Sequence, residues 1–107
     1  MYRHNTALLA NTPTTGGGGL SGAITVYGDF GRAQNVRVQD NLVSGGAYTF
    51  YGGINNEATF GQPIEIHIDG NRLVCGSWIY GPVFRRSGPT NTFDGNRCDQ
   101  DLSPVLP

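Results

Sequence analysis

Five polar side chains recur at related points of similar sequence segments and have the types that chemistry on a sugar polymer would use: Arg37, Glu65, His67, Asp69 and Asp94. Glycoside hydrolysis needs two carboxyl groups about 5 to 9 Å apart. Asp69 and Asp94, one repeat apart, are expected near the short end of that range. Lyase chemistry instead combines carboxylates that bind Ca²⁺ with a basic residue that removes a proton. Glu65, Asp69 and Asp94 are the metal candidates, and Arg37 and His67 complete the catalytic candidates.

The same side chains also have a structural interpretation. Asp69 and Asp94 each stand in an Asp-Gly-Asn sequence, and aspartate commonly forms turns by bonding the backbone two residues on. His67 on an exposed strand face is an ordinary surface residue in this interpretation. A face only two or three repeats wide offers little wall to exclude water. The sequence therefore favours a non-catalytic protein and leaves the enzyme open as the alternative.

Three tyrosines form a second candidate surface. The segments ITVYG, YTFYG and SWIYG place Tyr27, Tyr51 and Tyr80 before a glycine. If the residue before each tyrosine points inward, the tyrosines point outward, because neighbours along a strand alternate. Outward rings suit sugar binding, since ring faces pack on apolar sugar faces while the hydroxyls reach polar groups. Two alternatives stay open: the rings are core, or they cover a contact between subunits.

The elements that would position these residues are repeated. Three segments align on an asparagine: NVRVQDN (35–41), EIHIDGN (65–71) and TNTFDGN (90–96), with NTALLAN as a fainter copy that ends at Asn11 and puts Leu8 in the core position. The asparagines lie 30, 30 and 25 residues apart, and the tyrosines of the second motif 24 and 29 apart. Two interleaved series of similar period predict one coil of a β-solenoid per repeat. A β-sandwich is the alternative, but it gives no reason for an asparagine at the same point after each strand.

The predicted fold is all-β: a short right-handed parallel β-helix of about three to four coils, in one domain spanning residues 1–107. Residues 1–34 match the repeat poorly and contain a glycine-rich loop, whereas residues 35–107 carry clear repeats. The predicted inward columns are Val36/Ile66, Val38/Ile68/Phe93 and Val26/Phe50/Ile79. The asparagines are expected at a turn, in the left-handed conformation, with their amides bonded from one coil to the next.

The stretch SWIYGPVFRRSGPTNTFDGNRCDQDLSPV (77–105) resembles the closing coils of secreted β-helix proteins of the pectate-lyase-like superfamily. The resemblance extends over roughly residues 35–107. It implies an architecture rather than an activity, because that superfamily includes lyases, hydrolases, epimerases and non-enzymatic adhesins. We therefore expect a structural or carbohydrate-binding β-helix module, which could be part of a larger protein, with a polysaccharide lyase or glycoside hydrolase as the alternative. No cofactor is expected, except Ca²⁺ under that alternative.

The composition limits the partners and the compartment. Glycine and proline contribute 17 and 6 residues and the net charge is −1, so long-range attraction to nucleic acid or to an anionic membrane is not expected. The apolar run from Ala7 to Ala10 is too short for a signal peptide. The sequence as it stands predicts a cytoplasmic protein, or an extracellular one if it derives from a secreted parent.

The two cysteines stand four and two residues after their repeat asparagines. In strict strand register this offset separates the Cα atoms of Cys75 and Cys98 by about 8 Å, beyond the usual limit of about 7 Å for a disulfide. For the chain as it stands, the sequence therefore favours free thiols, although a bulge could close the gap and an even pair of cysteines favours a disulfide in a secreted parent.

The two ends of the repeat differ. The tail from Leu102 to Pro107 contains two prolines, which cannot donate hydrogen bonds to a strand ladder, so it is expected to fold over the C-terminal end. The first repeat has no such cover. We expect a homo-oligomer, most simply a two-fold dimer, that buries Leu8, Leu9 and Leu20.

Overall fold

A computed structural model describes residues 1–8, 22–28, 31–55, 59, 61–85 and 90–107. Ten β-strands lie in this part of the chain: β1 Tyr2–Arg3, β2 Thr6–Leu8, β3 Ile24–Gly28, β4 Gln34–Gln39, β5 Leu42–Ser44, β6 Tyr48–Asn55, β7 Ile64–Asp69, β8 Arg72–Leu73, β9 Gly81–Arg85 and β10 Arg97–Cys98. Among the described residues, no helix has the length and apolar character that a bilayer span requires.

The strands form three parallel sheets, which take every third strand up to β9, and β10 is added beside β8. The first sheet has the order β1-β4-β7, the second β10-β8-β5-β2 and the third β3-β6-β9. We call one traverse of the three sheets a pass: β1–β3, β4–β6 and β7–β9, followed by a last pass that begins with a parallel bridge from Thr92 to His67 and continues into β10. The predicted all-β fold with parallel strands is confirmed.

One cluster of buried residues draws on all three sheets. In the first sheet Val36 lies beside Ile66 and Val38 beside Ile68, so alternate residues of β4 and β7 line the core. Phe93 follows the bridge at Thr92 and is also buried. The second sheet supplies Val43 and Leu73 and the third Phe50. The predicted columns of the first sheet are therefore confirmed.

The predicted column of the third sheet is wrong. Backbone pairing sets Ile24 beside Phe50 and Phe50 beside Val83, instead of Val26 and Ile79. Ile79 precedes β9 and is 54% exposed. Its amide, like that of Tyr80, donates to Ala47 O at the turn before β6. The tyrosine of the Tyr-Gly motif is thus inside the strand in two passes and before it in the third. The turn that precedes β9 fixes the register, and the local sequence does not.

An asparagine ladder runs through the turn between the first and second sheets. Asn41, Asn71 and Asn96 are at most 2% exposed. Asn41 Nδ2 donates to Asn71 Oδ1 at 3.0 Å, and Asn71 Nδ2 donates to Asn96 Oδ1 at 3.0 Å. The same oxygens accept the backbone amides of Asn41 and Asn71. The predicted stacking of the three asparagines is confirmed.

The left-handed position, however, lies one residue before each asparagine. Asp40, Gly70 and Gly95 have φ values of 56°, 68° and 66°, a region that glycine and short polar residues tolerate. The prediction that the asparagines adopt this conformation is wrong. The preceding residue turns the chain, and each asparagine amide then lies along the stacking direction, where it reaches the next pass.

The first pass also differs from the sequence alignment. Tyr2 lies beside Val38, and Asn5 joins the ladder by donating its backbone amide to Asn41 Oδ1 at 2.9 Å. The predicted copy with Leu8 in the core position is wrong, because Leu8 lies beside Ser44 in the second sheet and is 63% exposed. Asn11 lies outside the described residues. A short apolar run resembled the repeat although it occupies a different strand.

Cys75 and Cys98 form a disulfide, with their Cα atoms 5.4 Å apart, so the prediction of free thiols is wrong. The strand register is the expected one, since Cys98 lies beside Leu73. Strand β8, however, ends at Leu73, and Cys75 is in the following turn, where Gly76 has a φ of 84°. The spacing of an extended strand does not apply to a turn, and the turn brings Cys75 back over Cys98.

Removing this disulfide is expected to destabilise the last pass. The bond links residues 23 apart in sequence, and a cross-link over a loop of this size stabilises a protein by about 3 kcal/mol, mainly by restricting the unfolded chain. We expect the Cys75→Ser, Cys98→Ser double variant to lose about this amount in chemical denaturation. Reducing agent should destabilise the parent protein similarly and leave the double variant unchanged. Equal stability of parent and double variant would contradict the prediction.

The C-terminal tail covers the last pass, as predicted. Val105 is buried and its amide donates to Asn96 O, while Pro104 bridges Arg97 in antiparallel orientation. A turn at Asp101 directs the tail, since Ser103 donates its hydroxyl and its amide to Asp101 Oδ1 at 2.6 and 2.9 Å. These two hydrogen bonds, the hydroxyl first, lower the pKa of Asp101. The tail therefore covers β10 and the last asparagine of the ladder.

Candidate functional site

The outer face of the first sheet carries the polar residues singled out in the sequence. The register sets Arg37 beside His67 and Gln39 beside Asp69, and the bridge sets His67 beside Thr92. The face thus forms as the repeat alignment predicts, because positions two apart along a strand point to the same side.

A continuous hydrogen-bonded network lies on this face. His67 Nε2 is 2.8 Å from Glu65 Oε2, and His67 Nδ1 is 2.9 Å from Thr92 Oγ1. Thr92 Oγ1 in turn donates to the Asp69 carboxylate at 2.8 to 2.9 Å. The His67 side chain is 15% exposed and that of Glu65 42%. The network therefore ties β7 to the last pass.

Asp69 also forms a hydrogen bond at a turn, but not with the backbone two residues further on, as the sequence predicted. Its Oδ1 accepts the backbone amide of Asp94, 2.9 Å away in the next pass. The proposed metal ligands Glu65, Asp69 and Asp94 do not converge: within the described residues, no three His, Cys, Asp or Glu side chains form a group that could hold a metal ion. Oxygens of Glu65 and Asp69 are directed at His67 and Thr92 instead.

An aromatic cluster occupies the outer face of the third sheet. The ring centroid of Tyr48 lies 5.7 Å from that of Tyr51, 5.8 Å from that of Tyr80 and 5.4 Å from that of Phe84. Tyr51 and Phe84 stack at 5.0 Å with an interplanar angle of 20°. Tyr80 is 73% exposed and Phe84 38%. We call these four residues the aromatic cluster.

Backbone geometry brings the cluster together. Tyr51 lies beside Phe84, and Tyr48 lies beside Gly81. A Cβ atom at Gly81 would lie 3.4 Å from the Tyr48 ring, an ordinary contact distance, so this ring lies directly over the neighbouring strand. Gly46, with a φ of 83°, turns the chain into β6, and a Cβ there would lie 2.5 Å from Tyr48 O. A residue larger than glycine at position 46 would displace the start of the strand that carries two of the rings.

The structure places the three predicted tyrosines differently. Tyr51 and Tyr80 meet in the cluster, but through Tyr48 and not as neighbours in one column. Tyr27 is in β3 beside Ile54, beyond a register shift, and its side chain lies outside the described residues. The sequence reasoning missed Tyr48 and Phe84. The many aromatic residues in YTFY and YGPVF could have indicated a cluster. The strand register, which decides which rings are neighbours, cannot be read from these segments.

A polar cleft of about 420 Å³ lies at the asparagine turn, lined by Asp40, Asn41, Leu42, Gly70, Arg72 and Asp99. Asp40 pairs with Arg3 at 3.3 Å and Asp99 with Arg72 at 3.7 Å. Exposed pairs of this kind contribute less than about 1 kcal/mol each, so these charges remain accessible to a polar ligand. This cleft could not be predicted from the sequence, because its lining residues come from three passes.

No protein-family model matches the chain, and neither a curated protein nor a solved structure matches it. The resemblance to the pectate-lyase-like superfamily therefore stays a prediction. The function has to be argued from the side chains of the three outer faces.

Proposed function

We propose that the three sheets close into a right-handed parallel β-helix of about three to four coils. Two observations support this. The sheets take every third strand up to β9, and the asparagine ladder repeats at one turn in each pass. A chain that returns to the same turn at the same point of every pass builds a repeating stack, in which each pass contacts its neighbours.

We further propose that the protein is a non-catalytic carbohydrate-binding module that uses the aromatic cluster. The observation that carries this proposal is the exposure of two rings of the cluster, Tyr80 and Phe84. Phe84 is also stacked on Tyr51. Solvent-exposed aromatic rings provide an apolar surface that a ligand can cover. The apolar C–H face of a sugar packs on such rings, while tyrosine hydroxyls supply polar contacts at the edge.

The cluster favours a neutral, extended glycan over an acidic one. Its four members are three tyrosines and one phenylalanine, with no acidic or basic side chain among them. A polymer can lie across several rings at once, which compensates for the open shape of the surface. A charged sugar would gain little from apolar rings.

Truncation of the most exposed ring is the direct test. On a glycan array, and then by calorimetry with the best neutral oligosaccharide, Tyr80→Ala should weaken binding at least about tenfold, or about 1.4 kcal/mol. Tyr51→Ala should weaken it as well, because Phe84 loses the ring on which it stacks. Tyr80→Phe retains the ring and should bind nearly as the parent does.

The control is Leu106→Ala, which truncates an exposed apolar residue of the C-terminal tail and should bind as the parent does. Absence of binding to any glycan, or binding that Tyr51→Ala and Tyr80→Ala leave unchanged, would contradict the carbohydrate proposal.

The face of the first sheet is the second candidate site, and the network of Glu65, His67 and Thr92 is the observation in its favour. A histidine held between a carboxylate and a hydroxyl is oriented as a proton-transfer group requires. Under this alternative, Arg37, His67, Asp69 and Asp94 would act on a polysaccharide. The test is whether the protein releases reducing ends or unsaturated products from polysaccharides, with and without added Ca²⁺. Under this alternative, His67→Gln should lose that activity.

The disulfide supports the second of the two predicted locations, outside the cell. Disulfides form and persist in oxidising compartments and are rare in a reducing cytosol. We therefore propose that the bond between Cys75 and Cys98 forms outside the cytoplasm, where polysaccharide ligands are also found.

A further inference from the structure

The polar cleft at the asparagine turn lies where the side chains of the repeat are short or missing. Asp40 and Gly70 occupy the same turn position in successive passes, with φ values of 56° and 68°, but only Asp40 has a side chain there. In the second sheet Leu42 lies beside Arg72 and is the shorter of the two. The cleft of about 420 Å³ is therefore the space that Gly70 and Leu42 leave between the passes.

A loose ion pair borders this space. Arg72 Nη1 and Asp99 Oδ1 are 3.7 Å apart, which is too long for a hydrogen bond. The two side chains are 58% and 40% exposed, and within the described part of the chain neither makes a side-chain hydrogen bond. A guanidinium has five N–H donors, and a carboxylate accepts at two oxygens. Both groups can therefore bind a ligand without breaking a hydrogen bond of the protein.

Asp40 borders the cleft from the preceding pass. Its Oδ2 pairs with Arg3 Nε at 3.3 Å. A Cβ atom at Gly70 would lie 3.4 Å from Asp40 Oδ1, so the second oxygen faces the space over the glycine. The lining thus combines two carboxylates, one guanidinium and the apolar side chain of Leu42. A ligand with a single charge, of either sign, would also meet a lining group of its own sign, and like charges repel.

We propose that the cleft binds a small zwitterion, a compact molecule with one carboxylate and one ammonium group, of which the free α-amino acids are the simplest members. The ligand carboxylate pairs with Arg72, because a planar guanidinium matches a carboxylate at two points. The ligand ammonium pairs with Asp99, and Asp40 is a second acceptor. Two closer ion pairs replace one long pair, and the charge of the site stays balanced.

The size and the open shape of the cleft fit such a ligand. Small-molecule sites measure about 300 to 1,000 Å³, and the cleft, at about 420 Å³, is near the lower end. Water reaches the charges and weakens each ion pair, so we expect an affinity in the millimolar range. The site is independent of sugar binding, which uses the third sheet. It is also independent of the predicted dimer, whose contact residues Leu9 and Leu20 lie outside the described residues.

Titration of the intact protein, followed by nuclear magnetic resonance, is suited to this affinity. The probes are glycine, acetate and methylammonium at constant ionic strength, because acetate and methylammonium each retain one of the two charged groups of glycine. Glycine should shift the amide signals of Gly70, Arg72 and Asp99 along one saturation curve in the millimolar range. Acetate and methylammonium should bind at least tenfold more weakly.

Substitutions in the cleft identify the groups that bind. Arg72→Gln should weaken glycine binding at least tenfold, and Asp99→Asn should weaken it as well, because each removes one charge. Gly70→Asn fills the cleft and changes no charge, and asparagine tolerates positive φ, so this variant should also lose binding. Arg37→Gln is the control, since Arg37 is exposed on the first sheet, and it should bind as the parent does. Circular dichroism checks that every variant keeps the fold.

Two kinds of result would overturn the proposal. One is the absence of a saturable shift with glycine, or glycine binding that Arg72→Gln and Gly70→Asn leave unchanged. The other is equal binding of a probe with one charge: acetate as strong as glycine would show an anion site, and methylammonium as strong as glycine a cation site.

Discussion

Replacement of Asn71 by leucine is expected to lower the free energy of unfolding by about 4 kcal/mol, since each buried polar group left unpaired costs about 1 to 3 kcal/mol. Asn71 Oδ1 accepts two hydrogen bonds from Asn41. Asn71 Nδ2 donates to Val38 O at 2.8 Å and to Asn96 Oδ1 at 3.0 Å. Leucine has a similar size but can neither accept nor donate. The amide of Asn41 and the carbonyl of Val38 would remain buried without partners.

Chemical denaturation followed by circular dichroism measures this loss. Asn5→Leu is the matched control, because Asn5 stands at the exposed end of the same ladder and should cost less than about 1 kcal/mol. Asn71→Asp is expected to be as harmful as leucine. It keeps one acceptor oxygen but places a second one against Val38 O. Equal stabilities of the variants at positions 5 and 71 would show that burial of the ladder contributes nothing.

Replacement of Phe93 by aspartate is expected to unfold the last pass. Phe93 is buried against Phe50, with ring centroids 6.2 Å apart. Loss of a buried phenylalanine ring costs about 3 to 5 kcal/mol, and an unpaired buried carboxylate adds several more. Their sum is comparable with the whole stability of a small domain, about 5 to 15 kcal/mol. The variant should therefore lose its cooperative thermal transition.

Phe93→Leu is the control for this experiment. Leucine retains an apolar side chain at the same place and should cost about 1 to 2 kcal/mol, so its transition stays cooperative at a lower temperature. Exchange of backbone amides should localise the damage, with protection lost first in β10, which follows Phe93 directly. A Phe93→Asp protein with the melting temperature of the parent would show that Phe93 does not contribute to the core.

The repeats gave correct predictions wherever one strand and its turn have the same length in successive passes. Strands β4 and β7 match in length, and each ends at a turn that leads to a ladder asparagine. The core residues Val38 and Ile68 and the outward residues Arg37 and His67 could therefore be assigned from the alignment alone. Alternation along a strand is a local property, so once the turn is fixed, every side chain is assigned to a face.

The third sheet shows the limit of this reasoning. Tyr51 and Tyr80 follow similar residues and precede glycine, yet only Tyr51 lies within a strand. The length of the preceding turn differs between passes, and one shifted residue moves a whole strand to the opposite face. Phe84, not Tyr80, pairs with Tyr51. The aromatic residues of the cluster could thus be recognised in the sequence, but which of them contact one another could not be predicted.

The sequence by itself determined the strand content, the period, the asparagine ladder and the buried columns of the first sheet, because these follow from residue type and from spacing within one pass. Only the tertiary structure decided which residues of the turns contact residues of another pass. It joined Cys75 to Cys98, it replaced the expected Asn11 by Asn5, and it placed Val105 against Asn96. Contacts of this kind depend on where a turn directs the chain, and a turn can change direction through one residue with positive φ.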